Sequence, residues 1–133
     1  MNQPDTSRAA RGAVLEAVLH GVLWLLWAAG MLWAGPRLMH DYRDFSMKLP
    51  AASEHVMAVA LWLATYWYVL LPVLAAGLGA DALVGYQLRR NADLRPLRWL
   101  WSLLMFGLPL MVLFFSFMGL YLAFVKIQEA LHR

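Results

Sequence analysis

Residues 99–125 read WLWSLLMFGLPLMVLFFSFMGLYLAFV, with no charged side chain anywhere in the run. A helix rises about 1.5 Å per residue, and about 20 apolar residues cross the roughly 30 Å of bilayer hydrocarbon, so this stretch is long enough to span it. Upstream, residues 56–84 are apolar with no charge before Asp81. Residues 12–35 form a third apolar block, whose ionisable groups are Glu16 and His20 near its start. A membrane β-strand would alternate apolar and polar residues over about ten positions, and none of the blocks does. The sequence therefore predicts an all-α integral membrane protein, a three-transmembrane-helix bundle formed as a single membrane domain over 1–133. The expected spans lie at about 12–35, 56–84 and 99–125. They are joined by loops at 36–55 and 85–98 and followed by a polar C-terminal turn at 126–133.

Composition agrees with these blocks. Of the 133 residues 62% are hydrophobic and only 14% are charged, outside the range of an ordinary soluble domain. There is no cysteine, hence no disulfide, thiolate nucleophile or sulfur metal ligand. The net charge of +3 comes from arginines near the block ends rather than from a long basic run, which argues against a nucleic-acid partner. The first block is too long for the apolar core of a cleavable signal peptide and leads to no small-residue cleavage site, so it reads as a permanent anchor. Pro72 and Pro109 lie inside the second and third blocks, where each removes a backbone donor and is expected to kink its helix. Pro36 is expected to end the first helix, with Ser53 capping the second.

Lysine and arginine in short loops favour the cytoplasmic side. The N-terminal tail and second loop carry Arg8, Arg11, Arg89, Arg90, Arg95 and Arg98. The opposite side carries Arg37, Arg43, Lys48, Lys126 and Arg133. The crowding of four arginines into residues 89–98 predicts a cytoplasmic N-terminus.

The first loop contains Gly35-Pro36-Arg37-Leu38 and then Asp44-Phe45-Ser46-Met47-Lys48-Leu49-Pro50, between an apolar helix and one carrying Tyr66-Trp67-Tyr68. In this pattern the chain resembles the F domain of the inner-membrane platform proteins of type II secretion and type IV pilus systems. There a spanning helix ends in a Val-Pro-x-Phe-like turn, a segment like Asp-Phe-Gly-x-x-Leu-Pro follows, and a second spanning helix begins. The resemblance covers about residues 19–85. Its motif positions are Pro36, Asp44, Phe45, Leu49 and Pro50, with Ser46 where the family often has Gly. It implies a periplasmic first loop. The cytoplasmic helical domains through which family members engage the assembly ATPase have no counterpart in this sequence, so a motor-coupling role is not carried over. The loop also reads without any secretion role, as an interfacial re-entry in which Tyr42, Phe45 and Met47 dip toward lipid while Asp41, Arg43, Asp44 and Lys48 stay wet.

Glu16 and His20 are four apart and share a helix face with Trp24, Trp27, Met31 and Ala34. A histidine among aromatics inside an apolar helix is one arrangement that ligates haem or a chlorin. The alternative is that His20 and Glu16 hydrogen-bond each other near the headgroups. Trp24, Trp27, Tyr66 and Trp67 sit deeper than an interfacial aromatic belt. They suit helix packing, with Thr65, a carbonyl near Pro72 or a neighbouring subunit accepting from the indoles, or else a pigment or quinone pocket. Ala75/Gly79 and Ala76/Ala80 form small-xxx-small pairs, which allow close helix approach. Asp81 is expected at headgroup level, pairing with Arg89 or Arg90. Asp41 and Asp44 lack any surrounding nucleophile or ligand set, and Arg43 would neutralise them. The expected function is non-enzymatic: an accessory or platform-like subunit of an inner-membrane assembly, with the lipid bilayer, other membrane subunits or further copies of itself as partners, and with no cofactor or metal. A haem- or chlorin-bearing subunit of a respiratory or photosynthetic complex, with His20 as ligand, is the alternative. A small transporter is the third.

Overall fold

The computed structural model describes residues 6–44 and 48–132. It is an all-α, three-helix bundle: α1 is Thr6–Asp44, α2 Ala51–Arg90 and α3 Arg95–Leu131, with a 3-10 turn at Ala92–Leu94 leading into α3. The helices run for 39, 40 and 37 residues. Each is long and apolar enough to cross a membrane, and each outruns the apolar block at its centre.

The excess length corrects the expected first loop. α1 passes through Pro36 and continues to Asp44, so most of the segment read as loop is helical. The reason is that the inward face of α1 does not stop at the proline. Tyr42 is buried in a cluster with Met57, Ala123 and Ile127, and Leu38, Met39 and Leu49 pack against it. Pro36 itself is exposed. One missing backbone hydrogen bond on the outer side is outweighed by two more turns of packed helix. Tyr42 therefore belongs to the core rather than the lipid interface, and its hydroxyl donates to the Ala123 carbonyl at 2.9 Å. Of the family-like motif, Leu49 is half-buried and the Pro50 carbonyl accepts from the amides of Ser53 and Glu54 at 2.8 and 3.0 Å, which starts α2. Phe45, with Ser46 and Met47, lies outside the described residues. Ser53 is not the cap: it is buried, and its Oγ donates to the Gly119 carbonyl of α3 at 2.7 Å.

The prolines behave differently from one another. α2 leaves helical geometry at Tyr66, with φ −117° and ψ 25°, six residues before Pro72. α3 runs as one helix through Pro109, which is buried.

Contacts divide the chain into two compact units. One contains the described residues up to Leu25 with Leu71–Leu110, and the other Leu26–Leu70 with the described residues from Met111 on. In the second unit Met31, Ala60 and Leu63 form another buried cluster. Gly35 lies so close to Ala60, and Gly119 to Val56, that any side chain at either glycine would overlap its neighbour. In the first unit Ala13, Ala17 and Leu88 are buried. The inward positions on each helix recur every three or four residues and are mostly small, as expected where helices associate in an apolar solvent by close packing. The outward positions are large and apolar: Trp99 is 70% and Leu103 71% exposed. A surface of this kind is stable against lipid and not against water. The chain is a multi-pass membrane protein.

Candidate functional site

The first unit encloses polar side chains from all three helices. On α1, Glu16 and His20 are one turn apart on one face; on α2, Asp81 and Arg89 are about two turns apart. In both helices the acid comes first in the chain. α2 runs antiparallel to α1, so the order is reversed in space and each acid meets a base across the interface. Arg89 Nη2 lies 2.8 Å from Glu16 Oε1, and His20 Nδ1 lies 2.5 Å from Asp81 Oδ2.

α3 adds two donors. The Trp101 indole N–H donates to the other Asp81 oxygen, Oδ1, at 2.8 Å, and Ser102 Oγ makes a longer 3.4 Å contact to Glu16 Oε1. The edge of Phe106 closes over His20, with ring centroids 4.2 Å apart. His20 and Asp81 are nearly sealed, each with a side chain 3% exposed, whereas Arg89 and Glu16 are 22% and 26% exposed. Small residues make the approach possible. A side chain at Gly12 would overlap the Arg89 guanidinium, and a Cβ added at Gly85 would lie 3.6 Å from the Ala13 Cβ.

Two expectations are corrected here. Glu16 and His20 do not bond each other but reach to different residues of α2, because an i, i+4 pair on one face is better satisfied by a facing helix than by itself. Asp81 is not a headgroup-level carboxylate paired with arginine. It is buried and accepts from His20 and Trp101, while Arg89 is taken by Glu16. Near the first loop, Asp44 accepts from His40 Nδ1 at 3.0 Å, rather than being neutralised by Arg43.

Chemically, the sealed pair is a fastener between helices. Asp81 uses both oxygens as acceptors, one toward α1 and one toward α3, and a slide bringing Glu16 toward Asp81 would set two carboxylates together. With Nδ1 facing Asp81, the second ring nitrogen of His20, Nε2, is buried with no hydrogen-bond partner among the described residues. No group of three or more metal-ligating side chains occurs among them.

The remaining expected residues are spread through the bundle. Trp24 and Trp27 are half-buried, and the Trp27 indole donates to Ser116 Oγ on α3 at 2.9 Å, a further interhelical tie. Trp67 is exposed. Thr65, considered as its acceptor, instead donates to the Leu61 carbonyl of its own helix at 2.9 Å. Ala75 and Gly79 are exposed as well, and a Cβ added at Gly77 or Gly79 would meet nothing within 4 Å. Trp101, Ser102 and Arg89 as partners of Asp81 and Glu16 escaped the sequence reading. The acid-then-base order shared by two antiparallel helices is the signal that could have suggested the Glu16–Arg89 pairing. Comparison with protein-family models, with curated proteins and with solved structures finds no match to this chain.

Proposed function

We propose that the chain is a non-enzymatic structural subunit of a larger bacterial inner-membrane assembly, platform-like in the manner of the secretion F domains its first loop resembles. The observation that carries this reading is the outward-facing sequence Tyr66-Trp67-Tyr68 of α2. Trp67 is eleven residues past Val56, where the apolar block begins, about 16 Å along the helix and so at mid-hydrocarbon depth. Trp67 and Tyr68 are 55% and 56% exposed, and no hydrogen bond within the described residues satisfies the two tyrosine hydroxyls or the indole N–H. Lipid tails offer no acceptor, and a polar group left unpaired in hydrocarbon is costly. A neighbouring membrane subunit, or a second copy of this chain, supplies the missing partner. The outward small residues Ala75–Ala80 add a second, separate surface of the kind that lets helices approach closely.

Purification in mild detergent followed by native gels and mass spectrometry tests this. Trp67→Leu, Tyr68→Phe and Gly79→Leu are each expected to weaken association by roughly 1 kcal/mol, about fivefold, while leaving the helical content of the chain unchanged. Unchanged co-purification and mobility in all three would mean that these surfaces face lipid alone.

Orientation has its own test. The arginines of residues 89–98 favour a cytoplasmic N-terminus and second loop, in agreement with the periplasmic first loop that the family resemblance implies. The absence of native cysteine allows single cysteines at Ser7, His55, Asn91 and Gln128 without background. An impermeant maleimide added to spheroplasts is expected to label positions 55 and 128, and to reach 7 and 91 only after lysis. The opposite pattern would reverse the orientation and remove the support it lends to the platform reading.

A further inference from the structure

A groove of about 600 Å³ runs along the outside of the second unit between α1 and α3, from Leu26 to Asp41 on α1 and from Leu113 to Phe124 on α3. That volume falls within the range of small-molecule sites, and the lining is almost wholly apolar. Apart from the Tyr121 hydroxyl and the Trp33 indole, its polar groups lie in two places. At depth the wall is the Trp27–Ser116 hydrogen bond, already satisfied within the chain. At the other end stand Arg37 and Asp41, one turn apart on α1.

Neither of those two charges has an ion-pair partner among the described residues. Instead Arg37 lies over the Trp33 ring, 4.4 Å from its centroid, which holds the guanidinium at the groove mouth. From Leu26 to Arg37 is eleven residues, about 16 Å of helix, close to half of a roughly 30 Å hydrocarbon layer. The groove is therefore one leaflet deep, with its charged end where headgroups lie.

We propose that this groove is a binding site for one zwitterionic phospholipid with a primary-amine headgroup, phosphatidylethanolamine by chemistry. An acyl chain lies along the apolar wall, the phosphate sits on Arg37, and the ammonium donates to Asp41. The pairing of a cation and an anion selects the headgroup. A purely anionic lipid would satisfy Arg37 and be repelled by Asp41, and a quaternary amine carries no N–H for the carboxylate to accept. Gly30 lines the groove and a Cβ added there would meet nothing within 4 Å, so a larger residue can enter the groove from this position without a clash at its first carbon.

Native mass spectrometry of the purified full chain tests this, with phosphatidylethanolamine, phosphatidylcholine and phosphatidylglycerol of identical acyl chains added in turn. One phosphatidylethanolamine per chain is expected to survive gas-phase activation, retained about tenfold more than either competitor. Arg37→Gln should lower that retention about tenfold, Asp41→Asn should abolish the preference over phosphatidylcholine, and Gly30→Phe should remove the bound lipid, with circular dichroism checking that each variant is folded. Equal retention of the three lipids, a preference for phosphatidylglycerol, or a phosphatidylethanolamine adduct that persists in both Gly30→Phe and Arg37→Gln would overturn the proposal and leave the groove to a partner's helix.

Discussion

Asp81→Ala is expected to lower the unfolding free energy of the detergent-solubilised chain by about 3 kcal/mol. Two routes reach this value. Leaving the His20 imidazole and the Trp101 indole buried without their acceptor costs roughly 1–3 kcal/mol for each group. Interhelical hydrogen bonds in membrane proteins are weaker, at most about 1.7 kcal/mol each. Asp81 accepts two of them, from His20 at 2.5 Å and Trp101 at 2.8 Å, so losing both reaches about 3 kcal/mol only at that upper limit. The double variant His20→Leu with Asp81→Leu is expected to be more stable than Asp81→Ala, since only Trp101 then lacks its acceptor and two apolar groups fill the site. Unfolding in increasing SDS, followed by tryptophan fluorescence and circular dichroism, measures both. A loss below about 1 kcal/mol for Asp81→Ala would show that the pair contributes little to holding the helices together.

Gly119→Leu has an effect of similar size and a different cause. A side chain at this glycine overlaps Val56 and comes within 3.3 Å of the Ala52 carbonyl, so α2 and α3 must separate. Overpacking of a tight contact costs about 1–3 kcal/mol. Separation also draws the Gly119 carbonyl away from Ser53 Oγ, now 2.7 Å distant, at about 1 kcal/mol more for a buried hydroxyl left unpaired. The expected loss is about 3 kcal/mol. Gly77→Leu is the control: nothing lies within 4 Å of its added carbon, and leucine is the better helix former by up to about 1 kcal/mol, so the fold is unharmed. If the two variants unfold at the same SDS fraction, the close contact at Gly119 is not a stability determinant.

The three helices were legible because the bilayer imposes its requirement one segment at a time. A charge-free run such as residues 99–125 has to satisfy its backbone internally, and the requirement can be read without knowing any neighbour. Helix ends were less legible. Pro36 carries a strong local stop signal, yet α1 continues because Tyr42 and Leu38 find a packed cluster beyond it, and that cluster includes Ala123 and Ile127 from the far end of the chain. Ser53 looked like a cap on local grounds and became a cross-helix donor for the same reason.

The polar residues mark the division most clearly. That Glu16, His20 and Asp81 are costly inside an apolar helix and need partners follows from their chemistry and their neighbours in the chain. Which partners they take does not. Residue 81 is sixty-one positions from residue 20 and twenty from residue 101, and periodicity gives the face of a side chain on its own helix but not its height against another. Composition and the length of the apolar blocks settled solvent and helix number, because these depend on contacts with lipid or within one helix. The pairing of His20 with Asp81, the outward placement of Tyr66, Trp67 and Gly79, and the groove ending at Arg37 and Asp41 depend on how three helices register and rotate against one another. That is set by many small packing contacts at once, at Gly12, Gly35 and Gly119 among others, and none of these contacts is written in a local pattern.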